Sequence, residues 1–116
     1  MKWQNNFQTG EELVLVTASK KAVPNANIVI SLGFIDEQLV LADCQMKQTL
    51  KNLQENPSVC VLGKYLRLTG KVKIFSKGKF LDLCKQKTTG YEVKNAIVIT
   101  VKNVYDLDKG KLIFGN

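Results

Sequence analysis

Leu66, Leu68, Val72 and Ile74 alternate with Arg67, Thr69, Lys71 and Lys73, and Gly70 falls in the apolar register. A period of two sends successive side chains to opposite faces, so this stretch predicts a long strand with one buried and one wet face. Ala96-Ile97-Val98-Ile99-Thr100-Val101 has no such alternation. A run apolar on both faces predicts a central strand, continuing as Asn103 to Leu107. Shorter apolar runs predict strands at Leu13–Ala18, Asn25–Phe34, Gln38–Ala42 and Ser58–Leu62. The turn Ser19–Pro24 should pair the first two antiparallel, and the polar-centred turn Ile35–Gln38 should add the third, giving a meander. After Asp108-Lys109-Gly110, Lys111–Phe114 predicts a last edge segment.

Between the third and fourth strands the period changes. Met46, Leu50 and Leu53 fall at i, i+4 and i+7, one face of a helix. Asp43 is placed to accept backbone N–H groups at its start, and Asn56-Pro57 stops it, because a residue before proline is pushed out of the α region. Phe80, Leu81 and Cys84 mark one side of a second short helix, running to about Lys87 and ended by Thr88-Thr89-Gly90. Trp3 and Phe7, four residues apart, fit one helical turn pinned by aromatics. The expected fold is mainly β: a six-stranded split β-barrel of Greek-key type with two short helices.

At 116 residues and 13.0 kDa, without an internal repeat or linker, the chain reads as a single domain over residues 1–116. A domain this small leaves much of its surface uncovered, so a homodimer that hides one more apolar face is a natural supplement. No run of about 18 apolar residues is present for a membrane span, and Met1 to Asn6 lack the apolar stretch of a signal peptide. The expected location is cytoplasmic.

The inventory of chemical groups excludes more than it includes. With no histidine, the commonest general base near neutral pH is missing, and with it Ser-His and Cys-His nucleophile pairs. Cys44, Cys60 and Cys84 are odd in number and contain no CxxC pair, which argues against a disulfide framework or a structural zinc site and predicts buried free thiols. A net charge of +7 favours an anionic partner: a phosphorylated cofactor, a nucleic acid or an acidic protein. Most of the lysines are scattered as a solvated surface, and Arg67, on the wet face of its strand, is expected to pair with a surface carboxylate. Trp3 reads as an apolar anchor. The start of the first helix is different, because Lys47, Gln48 and Thr49 set a cation, an amide and a hydroxyl beside unpaired helix N–H groups. That combination suits a phosphate.

Four segments together resemble the small FMN-binding split-barrel proteins of the pyridoxamine 5′-phosphate oxidase-like family: VTASKKAVPNANIVI (Val16 to Ile30), LVLADCQMKQTLKNLQENPSVCVL (Leu39 to Leu62), YLRLTGKVKIF (Tyr65 to Phe75) and NAIVITVKNVYDL (Asn95 to Leu107). The most specific part is the pattern LAD-x-x-M-x-x-T-x-x-N-L-x-x-N-P. The resemblance implies a dimeric split barrel with FMN at each of two subunit-interface sites. It places the flavin phosphate at Lys47, Gln48 and Thr49, the ribityl and ring side along Asp43, Cys44 and Met46, and backbone contacts at Ile28, Val29 and Ile30. The chain departs from the pattern at Gln48, where relatives of this size carry a lysine directly before the threonine; here the lysine is Lys47. Full oxidases of the family carry a further C-terminal segment that contacts substrate phosphate, and this sequence stops soon after Leu107. Oxidation of vitamin B6 is therefore not the expected activity.

Three functions follow. The first is an FMN-dependent oxidoreductase or electron carrier with an unidentified small-molecule redox partner, in which flavin supplies the redox chemistry and no catalytic side chain is needed. The second is a basic barrel that binds single-stranded nucleic acid; against it, Phe34, Tyr65, Phe75 and Tyr105 fall in different strands without a paired stacking motif. The third, motivated by Gln48, is a split-barrel dimer that has lost its flavin.

Overall fold

The computed structural model describes residues 2–115. Its longest strand, β7 (Asn95–Asp106), buries Ala96, Ile97, Val98 and Ile99 in succession although they point alternately to opposite faces. Such a strand needs cover on both sides. Ile97 and Ile99 join the main core with Leu15, Leu41, Val61 and Leu68, while Ala96 and Val98 join a second layer with Val40, Leu81 and Cys84. The second layer is the packing of α2 (Lys79–Lys87) on the sheet: Leu81 and Cys84, three apart, form the buried face of that helix.

All strand pairings are antiparallel. β1 (Glu12–Ala18), β2 (Pro24–Ile30), β3 (Phe34–Ile35), β4 (Gln38–Asp43), β5 (Ser58–Gly63), β6 (Leu66–Phe75) and β7 lie in the order β2-β1-β5-β6-β7-β4-β3, and β8 (Lys111–Phe114) pairs with β7. The alternation in β6 holds: Leu66, Leu68, Gly70 and Val72 are buried, and Arg67, Lys71 and Lys73 are exposed. α1 (Gln48–Glu55) crosses from β4 to β5 and packs on β1 and β2. A 3₁₀ turn at Trp3–Phe7 inserts Phe7 into the core, and Trp3 stacks edge-on to Phe7 and Phe34 and tilted on Phe114, as an apolar anchor should. Among the described residues no helix is long and apolar enough to cross a membrane.

Several expectations change. The chain folds as a split barrel with eight strands: Lys111–Phe114 forms the expected edge strand, and the second predicted strand stops at Ile30, so that Phe34–Ile35 is a strand of its own. Buried Ser31 turns the backbone: its Oγ donates to the Phe7 carbonyl oxygen at 2.6 Å and accepts the Gly33 N–H at 2.9 Å, and Gly33 sits at φ +88°. The three-strand meander is not formed, since β4 pairs with β7, from Leu39↔Ile99 to Asp43↔Asn95. β4 meets the continuation of β2 through Leu32 N–H to Val40 O and Val40 N–H to Gly33 O, both 3.0 Å. Among the described residues Arg67 makes no ion pair; it lies 5.1 Å from the ring centre of Tyr105, its register partner on β7. All three cysteines are free, but only Cys84 is buried, because Cys60 is on the outward face of β5 and Cys44 lies just past the end of β4.

Gly70 marks a register shift between β6 and β7, and a methyl group there would press into the Thr100 carbonyl oxygen and lie 2.9 Å from Ile99 Cγ2. Gly70→Ala should therefore cost about 1–3 kcal/mol, the range for overpacking a tight interior, read as a lower urea midpoint with an unchanged slope.

Candidate functional site

β2 pairs along one edge with β1, from Glu12↔Ile30 to Ala18↔Pro24. Its other edge faces the segment that leaves β4. The two run together at the Leu32–Val40 bonds, diverge, and meet again where Thr49 of α1 bonds Asn25 and Asn27 of β2. Between these contacts, among the described residues, no strand pairing joins residues 28–30 to residues 43–47, so the two segments stand as lips that are not bonded to each other and are held at both ends. This is the split of the barrel.

One pinned end is a polar cluster. Thr49 Oγ donates to Asn27 Oδ1 and accepts from Asn25 Nδ2 at 3.0 Å, and the same Nδ2 donates to Asn27 Oδ1 at 2.9 Å. Behind it, Gln48 Nε2 donates to Asn52 Oδ1 at 2.8 Å, and Asn52 Nδ2 to Thr17 Oγ1 at 3.1 Å. Thr17, Thr49 and Asn52 are buried, and among the described residues no buried side-chain polar atom lacks a partner. The cluster ties the first turn of α1 to the strands beneath it.

The start of α1 has no cap. The first intrahelical bond is Lys51 N–H to Lys47 O at 3.1 Å, and Lys47, at the cap position, carries no side chain able to accept. The N–H groups of Gln48, Thr49 and Leu50 therefore have no carbonyl partner inside the helix. Asp43, expected to accept backbone N–H groups at that start, lies five residues before Gln48. Asp43 instead holds the connecting turn: Oδ1 accepts the Met46 N–H at 2.9 Å, Oδ2 accepts Asn95 Nδ2 at 2.7 Å, and its backbone carbonyl accepts the Lys94 N–H at 2.8 Å.

The candidate residues lie on the two lips, but their side chains do not converge. Ile28 and Ile30 face outward and are exposed, while Val29 is buried in the core. Met46 packs against the main core; Cys44 packs against the layer under α2; the Asp43 carboxylate is turned to Asn95. Lys47 and Gln48 are exposed. What borders the opening is largely backbone, with Lys47, Gln48 and the uncapped amides at the Thr49 end. That donor set fits a phosphate group. Asn52 stands in the quoted motif, but Asn25, Asn27 and Asn95 have no place in the sequence reading of the site. The signal was Asn25-Ala26-Asn27, two asparagines on one face of a strand that otherwise disfavours them.

The thiols are not set up as nucleophiles. Burial, and then the neighbouring Asp43 charge, raise the Cys44 thiol; burial raises Cys60 against the pull of Arg67. Cys84 is raised furthest, from 9.0 to about 11, by burial first and Cys44 second, with Lys87 opposing. Among the described residues no three of His, Cys, Asp and Glu converge in a way that could hold a metal ion.

A family model for pyridoxamine 5′-phosphate oxidase matches residues 5–108. An uncharacterized protein of Methanocaldococcus jannaschii is 29% identical over 119 residues, covering 89% of this chain and 80% of that protein. HupZ of Group A Streptococcus superposes with a TM-score of 0.83 at 17% identity, over 96% of this chain and 95% of that one. An FMN-binding protein from Syntrophomonas wolfei superposes with a TM-score of 0.73 at 18% identity, over 86% and 78% of the two chains. At those identities the two structures show a common fold.

The raised Cys84 pKa links thiol ionisation to folding. Because the folded form holds its proton more tightly than the unfolded chain, this contribution to stability is full below pH 9.0 and is lost as pH rises toward about 11. Chemical denaturation across that window should show stability falling more steeply in the native sequence than in Cys84→Ala.

Proposed function

The chain belongs to the pyridoxamine 5′-phosphate oxidase family, and from that membership we propose that it is a dimeric FMN-binding redox protein of the cytoplasm, acting as an oxidoreductase or electron carrier. The observation that carries the reading is the uncapped start of α1 beside the open edge of β2. Unpaired N–H groups at a helix start, with Lys47 next to them, favour a doubly charged phosphate, and the backbone groups of Ile28 and Ile30, on either side of Val29, point to the open edge and can meet the polar edge of a flavin ring. FMN, when bound, supplies the electron transfer. The protein supplies position. Lys47 offsets phosphate charge, the Asn25–Thr49–Asn27 cluster fixes the first turn of α1 against β2, and the Asp43 carboxylate holds residues 43–46 in the turn that forms the second lip. Cys44 and Met46 border the ring side through the backbone of that lip.

Gln48, where the family pattern has lysine, is turned along the helix to Asn52. One phosphate cation is thereby absent, and Lys47 is the residue left to replace it. The thiols are free, as a reducing compartment requires.

The dimer rests on a different surface. Ile28, Val14 and Leu62 form one cross-strand row on the outward sheet face, and Ala26, Val16 and Cys60 form the next. Ile28 is 70% exposed and Ile30 is 52% exposed, so the β2 end of an apolar face is open to solvent. Apolar surface of this kind marks an association site. A second copy seated there would also cover the outer side of the flavin opening.

Titration with FMN and riboflavin, followed by flavin fluorescence, tests the cofactor. Lys47→Ala should weaken FMN by about 1.5–3 kcal/mol, the range for a hydrogen bond to a charged group, and leave riboflavin nearly unchanged. Gln48→Lys should tighten FMN. Equal losses for both ligands would remove Lys47 from the phosphate, and no binding of either would leave a split barrel without flavin. For the dimer, sedimentation should give twice the 13.0 kDa chain mass, and Ile28→Asp should shift it toward the monomer. A native monomer would overturn that part.

A further inference from the structure

α1 has a second polar face, directed away from β2. Lys47 and Lys51 stand one helical turn apart, and Lys94 and Asn95 lead into β7; all four line a cleft of about 570 Å³ together with the apolar Met46 and Leu50. Its one carboxylate, Asp43, is buried, with one oxygen held by the Met46 N–H and the other by Asn95. Among the described residues the ion pair formed is Lys79–Asp36, so none of the three cleft lysines is answered by an acid. Three exposed ammonium groups lining one concavity repel one another and focus a positive field into it.

We infer that this cleft, which shares residues 43–47 with the second lip of the flavin opening but turns away from β2, binds a compact polyanion, a diphosphate or a phosphorylated ester with at least two negative charges. No β2 residue lines it, whereas Thr49, at the pinned end of the flavin opening, faces Asn25 and Asn27. Lys51 and Lys94 belong to the cleft alone; Lys47 stands at the junction of the two. The apolar Met46 and Leu50 receive the uncharged body of an ester. Three cations from two segments of the chain favour a group that carries more than one negative charge, so a diphosphate is preferred over a monophosphate.

Calorimetric titration with inorganic pyrophosphate and with inorganic phosphate tests this on the purified protein, then again after saturation with FMN. The expected result is one pyrophosphate per chain, bound at least about tenfold more tightly than phosphate and weakening as salt is raised. Lys51→Ala with Lys94→Ala should reduce that affinity by about tenfold or more, with the FMN affinity and the urea midpoint unchanged. Absence of saturable binding, or an affinity that survives the double substitution, overturns the proposal. Displacement of pyrophosphate by FMN overturns it also, because the cleft would then be the seat of the cofactor phosphate. The comparison of native and doubly substituted protein needs no flavin, so it decides the cleft even where the flavin reading fails.

Discussion

The barrel is closed at its seam by two backbone hydrogen bonds, Leu32 to Val40 and Val40 to Gly33. The free edge of β2 depends on that contact being short. A longer ladder between β2 and β4 would zip the sheet shut and consume the free edge of β2. What stops the zipper is local: Ser31 spends its hydroxyl on Phe7 and Gly33, Thr9 donates to the Leu32 carbonyl at 3.1 Å, and Lys87 reaches the same oxygen at 3.0 Å. Three separate parts of the chain, the N-terminal turn, β2 and α2, thus converge where the strand leaves its ladder. Buried backbone polar groups must find partners, and here side chains satisfy groups that a longer ladder would otherwise engage.

The other end of the opening is fixed by side chains in place of backbone. Asn25, Asn27 and Thr49 share three hydrogen bonds across the gap between strand and helix, and Gln48, Asn52 and Thr17 carry the network down to β1. An eight-residue helix is too short to be stable alone. Its position follows from Leu53 in the core and from this network, so the same contacts that stabilise α1 also aim its uncapped amides.

The sequence made some of this legible and concealed the rest for identifiable reasons. Period-two alternation in Leu66–Ile74 and the unbroken run Ala96–Ile99 record burial directly, and both strands stand where the pattern puts them. Partner choice is not recorded that way. The apolar run Leu39-Val40-Leu41-Ala42 is equally suited to pairing with β2 or β7, and only the two-layer burial of β4 between the main core and α2 selects β7. Lys47, Gln48 and Thr49 do stand at the helix start, but Asp43, a residue that caps helices, here caps an isolated turn whose backbone does not continue into α1 until Gln48. Arg67 carries no sequence sign that Tyr105, 38 positions away by number, is its register neighbour on β7. The asparagine cluster was visible in composition yet silent about its partner on α1.

The apolar outward face and the uncapped helix start can be weighed separately, and that separation has a physical consequence. Ile28 belongs to both surfaces: its backbone lies on the free edge of β2, while its side chain stands in the row Ile28–Val14–Leu62 that continues into Arg67 and Tyr105. Hiding that row removes apolar area from water whatever occupies the opening, so the driving force for association does not depend on a cofactor. The converse is not true. A ligand lying along the β2 edge contacts a strand whose outer side is water in one copy and protein in two, and charged groups interact more strongly when water is excluded. In a dimer with an anion bound at α1, association would therefore strengthen that binding, and the anion would add to association only by the amount that the second copy adds to the ligand's own affinity.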